Sequence, residues 1–221
     1  PFTNPLSIPV LGFCAYSGTG KTTLLKKLIP ELNRRNIQLA VIKHAHHNFD
    51  VDIPGKDSYE IRKAGARQIL IASHIRWALM TEDEKNEAPD LPYLLQQIEQ
   101  DRIDIVLIEG FKTLELPKIE LHRADHNTPF IHTNDTNIQA IACCNDTQLP
   151  TQLPRLDINN VPQIADFIIE YIQNWQPSIA NLPLMQRTTD CNTTKILSLR
   201  QGLAKITSYV KPISEHEIIK T

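Results

Sequence analysis

Residues 8–23 read "IPVLGFCAYSGTGKTT", an apolar run that gives way to small and hydroxylated residues and a lysine. A short run of this kind belongs to a strand buried on both faces of a parallel sheet. The next stretch, "TTLLKKLIPELNRRN" (22–36), sets Leu24, Leu25, Leu28, Ile29 and Leu32 at helical spacing. Its basic residues gather toward the end, where a helix dipole favours cations. Pro30 inside that pattern predicts a kink or an early break. Strand, glycine-bearing turn and helix in this order satisfy G-x-x-x-x-G-K-[ST] from Ala15 to Thr22, with Ala15 replacing the first glycine. Ala is tolerable at that position with a negative φ, because the later glycines make the closest backbone approach. A plain glycine-containing turn would not need Lys and Thr directly after Gly20.

The chemistry of such a loop assigns roles. Gly18 and Gly20 let successive N–H groups point inward around a phosphate, with Thr19 between them. The helix opening at Lys21 adds its partial positive charge. Lys21 is placed to reach the β/γ oxygens and Thr22 to offer its hydroxyl to Mg²⁺. A second acid for the metal is expected at the end of a buried strand. "DIVLIEGFK" (104–112) supplies Glu109 there, whereas Asp104 begins the same strand at the opposite edge of the sheet. A capping or solvent-facing role for Glu109 is the alternative.

Downstream, strands and helices alternate. "IQLAVIK" (37–43), "RQILIAS" (67–73), "IRWALMT" (75–81), "DIVLIEG" (104–110) and "IQAIACC" (138–144) read as strands, and "KIELHR" (118–123) as an edge strand because apolar and polar residues alternate. "DSYEIRKAGA" (57–66, with Asp57 near the N-cap), "LPYLLQQIEQ" (91–100) and "VPQIADFIIEYIQNW" (161–175) read as helices, and the acidic "EDEKNEAPD" (82–90) as a solvated loop. This order predicts an α/β chain: a three-layer fold of the P-loop NTPase kind with a mostly parallel sheet, plus a short C-terminal appendage. The expected organisation is a nucleotide-binding domain over 1–175, a linker over 176–194 and a helical tail over 195–221. That tail is too short to bury a core of its own.

Composition narrows the function. With 221 residues and a net charge of −2, the chain offers no electrostatic case for nucleic acid or an anionic membrane surface. No apolar stretch approaches the ~20 residues of a membrane span, and the start, at Pro1, shows no signal-peptide pattern. The four cysteines include no C-x-x-C, and Cys14 and Cys143 sit in strand-like runs, so a reducing, cytoplasmic setting is expected.

The segment "KHAHHNFDVDIPGKDS" (43–58) follows the second strand, on the sheet edge that carries the phosphate loop. His44, His46, His47, Asp50 and Asp52 admit a transition-metal site, a switch-like loop reaching Mg²⁺, or a recognition loop for a second, anionic substrate with Lys43 and Lys56 as counter-charges. A polar loop with surface histidines remains the bland alternative. For the base there is no N-K-x-D element; Asn145 and Asp146 follow a buried strand, where they either meet a purine edge or simply form a turn. Guanine over adenine does not follow from these residues.

Taken together, "AYSGTGKTTLLKKLIPEL", "IKHAHHNFDVDIPGKDSYEIRKAGA", "RWALMTE" and "IEGFK" resemble the family of molybdopterin-guanine dinucleotide biosynthesis adaptor proteins over about residues 8–175. The resemblance implies a GTP-binding homodimer using Mg²⁺ and a weak GTPase activity. It implies a role beside the guanylyltransferase that joins GMP to the molybdenum-bearing pterin. Gly18 to Thr23 then hold phosphate, Glu109 lies on the metal side, and the 43–58 loop faces nucleotide or partner. No catalytic residue is assigned. "KILSLRQGLAKITSYVKPISEHEI" (195–218) resembles the opening of the molybdopterin molybdenumtransferase, which implies that enzyme as a second partner through a natural fusion. The competing reading is a P-loop kinase for a small metabolite, with Arg62 or Arg67 over the phosphates; a third is a metallochaperone using His44, His46 and His47.

Overall fold

The computed structural model describes residues 2–45, 49–82, 88–124, 128–149 and 151–177. His46, His47, most of the acidic 82–90 segment, most of the 176–194 linker and the whole 195–221 tail lie outside these residues.

The apolar runs become strands of one parallel sheet. β1 (Val10–Cys14), β2 (Leu39–Lys43), β5 (Ile105–Glu109), β6 (Lys118–Leu121), β7 (Ile138–Cys143) and β8 (Arg155–Asp157) are arranged in the order β2-β5-β1-β6-β7-β8. All five pairings are parallel. Side chains alternate between the two faces of the sheet. On β5, Ile105 and Leu107 join Leu11 and Phe13 of β1 against one helical layer, while Val106 and Ile108 face the other side.

The first layer is α1 (Lys21–Arg34) and α4 (Val161–Asn174), which contribute Leu24, Leu25, Leu28, Leu32, Ile164, Ala165 and Ile168 to that core. Full burial of leucines such as Leu28 and Leu32 stabilises by about 1.5–3 kcal/mol each. Arg35, just past α1, ties the two helices by pairing with Asp166 and donating to the Pro162 carbonyl. Pro30 lies within α1 without ending it. The helix runs on to Arg34 because Leu32 on its final turn is wholly buried, so the expected break does not occur. On the opposite face, α3 (Leu91–Leu95) packs Leu91 and Leu95 onto Val106, Ile108 and Leu116. Gly12 of β1 lies beneath this layer: a Cβ there would stand 2.6 Å from Leu116 Cδ1 and 2.7 Å from Lys118 Cγ.

One further expectation is corrected and two readings are sharpened. β6 is an interior strand between β1 and β7, and its polar residues are buried rather than solvated. Lys118 is 1% exposed, 2.5 Å from Asp135 and donating to the Lys112 and Leu114 carbonyls; Glu120 accepts from the Ile131 and His132 amides. β3 (Gln68–Ala72) and β4 (Trp77–Thr81) pair antiparallel in a separate two-stranded sheet, closed by a turn in which the Ser73 amide donates to the Arg76 carbonyl. α2 (Asp57–Lys63) is capped by Lys56, and Asp57, its first helical residue, lies next to the cap as expected. Among the described residues no helix is long and apolar enough to cross a membrane, and Cys14, Cys143 and Cys144 are free thiols.

Candidate nucleotide site

β1 lies where strand order departs from chain order: its neighbours are β5 and β6, while the chain leaving it runs through α1 to β2 at the sheet's edge. A ligand crevice opens beyond the carboxyl ends of the strands at such a point. Here it is a cavity of about 540 Å³ lined by Ser17, Gly18, Gly20, Lys21, Thr22 and Thr23 of the loop, Lys43 and His44 after β2, and Glu109, Gly110 and Lys112 after β5.

The loop has the backbone its glycines permit. Gly18 and Gly20 adopt φ of 80° and 99°, the left-handed region that side-chain-bearing residues avoid. Thr19, 2% exposed, braces the turn by donating its hydroxyl to the Tyr16 carbonyl at 2.8 Å, so it acts on the loop's shape. Arg123, just past β6, donates Nε to the Thr19 carbonyl at 3.0 Å and fixes the loop from the other side. Lys21 Nζ points back into the loop, 3.1 Å from the Ala15 carbonyl and 3.4 Å from that of Tyr16. Burial lowers its pKa, partly opposed by the nearby Glu109 carboxylate, and the Lys112 and Lys43 charges push the same way as burial. An anion placed among these groups would relieve that repulsion.

Thr22 Oγ1 donates to Glu109 Oε1 at 3.0 Å. Lys43 Nζ lies 3.2 Å from both oxygens of the same carboxylate, because β2 and β5 pair Lys43 directly with Glu109. A hydroxyl and a carboxylate side by side are hard oxygen donors suited to Mg²⁺, which takes one or two protein oxygens and completes its shell with water and phosphate. The residues present therefore fit that ion. Three lysines against one carboxylate give the cavity a positive balance, which favours a polyanion.

The segment after β2 divides. The His44 amide donates to the Glu109 carbonyl at 2.8 Å, and its ring stacks on Phe111 at 4.7 Å. Gly110, at φ 98°, makes room for this: a Cβ there would stand 2.8 Å from His44 Cβ. Asp50 instead accepts from Arg62 of α2 at 2.6 and 2.7 Å, and from the Asp52 amide at 3.2 Å; Arg62 also holds Glu82. The Arg62 guanidinium beside it keeps the Asp50 carboxyl below the usual range. Asp52 accepts from the Ser58 hydroxyl and the Ile53 amide. His44 thus lines the cavity, whereas Asp50 and Asp52 are engaged with α2 and their own loop. Among the described residues no group of three or more His, Cys, Asp or Glu is arranged to hold a metal ion. At the far end of the sheet, Asn145 donates to Asp157, and Arg155 clamps the carbonyls of Asn145 and Thr147. Asn145 and Asp146 therefore sit on a fixed turn beyond β7.

Lys112 and Arg123 were not anticipated from the sequence. Both lie just past the carboxyl end of a strand next to β1, a signal that becomes usable only once the strand order is known.

Comparison with known proteins gives a consistent picture. The family model for molybdopterin guanine dinucleotide synthesis protein B, MobB, matches residues 10–144. The chain is 51% identical over 168 residues to the molybdopterin-guanine dinucleotide biosynthesis adapter protein of Escherichia coli K12, covering 75% of this chain and 94% of that protein. It is 49% identical over 170 residues to the Haemophilus influenzae protein of the same description, covering 76% and 89%. A crystal structure described as molybdopterin-guanine biosynthesis protein B superposes with a TM-score of 0.60 at 26% identity, over 75% of this chain and 99% of that one. A Bacillus subtilis MobB structure shares the fold, with a TM-score of 0.60 at 22% identity over 76% of this chain and 100% of that one.

Proposed function

The chain belongs to the family of molybdopterin guanine dinucleotide synthesis protein B, and from that membership we propose that it is a GTP-binding adaptor of molybdopterin guanine dinucleotide synthesis. In this reading it holds Mg²⁺·GTP at the Gly18–Thr23 loop, assists a cytoplasmic guanylyltransferase and hydrolyses GTP slowly. The observation that carries it is the junction of phosphate loop and metal-side acid, Thr22 against Glu109. The names of its relatives place it in a pathway whose product contains guanine.

Two features bear on the partners. The β3–β4 hairpin exposes Leu70, Ile71, Trp77 and Leu79, more apolar surface than an isolated two-stranded sheet sustains in water. This supports a homodimer in which the hairpin is covered by a second copy. The molybdenumtransferase as a second partner rests on the 195–221 tail alone. A kinase would need an arginine free to close over phosphate. Of the two considered, Arg62 is fixed between Asp50 and Glu82, which weighs against that reading.

Calorimetric titration with GTPγS and ATPγS, with and without Mg²⁺, tests the proposal. Selective, Mg²⁺-dependent binding of the guanine analogue is expected. Equal affinity for both, or a preference for ATPγS, overturns the GTP assignment.

A further inference from the structure

Lys43 is the least explained charge in the cavity. It ends β2, in register with Glu109, and its ammonium lies 3.2 Å from each carboxylate oxygen while Thr22 holds one of them. The carboxylate that fits the metal is thus covered by a cation belonging to the protein. A lysine has a compact charge on a flexible four-carbon stem. This one is 55% exposed along its side chain, so the ammonium is not locked by packing as Lys118 is at 1%.

Geometry limits where the ammonium can go. If Glu109 and Thr22 held Mg²⁺, two positive charges would compete for one carboxylate, and the half-exposed Lys43 side chain is the one with room to move. Leaving Glu109 keeps Lys43 inside the cavity it lines together with Lys21. In P-loop proteins the metal bridges the β- and γ-phosphates. With Thr22 and Glu109 holding the metal, the terminal phosphate would then lie toward β5 and β2 rather than β6. Lys21 approaches from the loop, and Lys43 is the lysine at the end of β2, on that side.

We propose that Lys43 reads the terminal phosphate: it pairs with Glu109 until Mg²⁺ binds there, and its ammonium then moves to the γ-phosphate of the bound nucleoside triphosphate. This rests on the nucleotide-binding reading above and adds to it a device that separates triphosphate from diphosphate.

The test compares wild type, Lys43→Met and Lys43→Arg by calorimetry with GTPγS and GDP, each with Mg²⁺ and with EDTA. With Mg²⁺, Lys43→Met is expected to lose at least tenfold more affinity for GTPγS than for GDP, and Lys43→Arg to retain most of the wild-type preference. In EDTA, where Lys43 stays on Glu109, the selective loss should shrink to within about twofold. Equal losses for both nucleotides, or none, overturn the γ-phosphate contact. A selective loss that persists in EDTA overturns the exchange with the metal. Wild-type protein that binds neither nucleotide would remove the nucleotide reading itself, a result distinct from the other two. Retained GDP binding by Lys43→Met reports that the variant is folded, and Lys43→Gln provides a second neutral variant.

Discussion

Thr22 and Glu109 are 87 residues apart in the chain, and their side chains meet at 3.0 Å. The contact exists because β1 and β5 are adjacent parallel strands in register, so the start of α1 and the end of β5 reach the same edge of the sheet. Thr22→Ala removes the hydroxyl donor and Glu109→Gln the carboxylate's charge, each leaving Lys21 in place. Both variants are expected to keep nucleotide binding in EDTA and to lose most of the gain in affinity that Mg²⁺ gives the wild type. Titration with GTPγS in each condition measures that gain. If it is unchanged in both variants, the metal side lies elsewhere.

Lys21 donates to two of the loop's own carbonyls, those of Ala15 and Tyr16. Removing it by Lys21→Ala deletes charge-assisted bonds to phosphate worth about 3 kcal/mol together, or roughly a hundredfold in affinity. The fold should survive, since Lys21 is the first residue of α1 and the core-facing residues of that helix begin at Leu24. A thermal melt within a few degrees of wild type, together with lost GTPγS binding, is the expected pair of results. Unaltered affinity would remove Lys21 from the phosphate site.

The strands and helices that frame this site were readable because their residues obey one period each. β1, β5 and β7 are nearly unbroken apolar runs, and α1 and α4 carry apolar stripes at helical spacing. β6 was misplaced at an edge because alternation treats a polar residue as a solvated one. Lys118 and Glu120 are instead buried with partners, Asp135 and the Ile131–His132 backbone, supplied by the connection between β6 and β7. β3 and β4 were readable as strands, but their pairing was left open; the short connection from Ser73 to Arg76 already argued for an antiparallel pair, since parallel neighbours need a long crossover. β8, three residues long, is below what a pattern can register. At the site, the phosphate loop and Glu109 could be named from motif and strand position, whereas Lys43 against Glu109 and Arg123 against Thr19 depend on which strands are neighbours.

Burial raises the Asp135 carboxyl, but its bonds with Lys118 and Asn137 outweigh that and leave its pKa below the ordinary value. A carboxylate with a depressed folded pKa stabilises the fold above its unfolded pKa and ceases to do so as pH falls through the folded value. This contribution is therefore complete above about pH 4 and is lost below it. Asp135→Asn leaves the Lys118 ammonium buried with only the Lys112 and Leu114 carbonyls, at an expected cost of about 3 kcal/mol at pH 7. Its stability should also fall less steeply than the wild type's between pH 5 and pH 3 (roughly the carboxylate titration range). Urea melts across that range decide the matter; parallel pH curves would mean that the pair does not govern acid unfolding.

The hairpin gives the last prediction. Leu70 and Leu79 are directly paired across β3 and β4, and Trp77 lies on the same face two residues along from Leu79. Those three side chains form one apolar surface held by an antiparallel ladder outside the main sheet. Trp77→Glu together with Leu79→Asp puts two charges on that surface without touching the cores that hold the parallel sheet. If the face is where two copies meet, the double variant should sediment as a monomer at concentrations where the wild type is a dimer. Its melt should then lose the concentration dependence of a dimer, because the fold would no longer be linked to association. A variant that remains dimeric moves the contact between copies to another face.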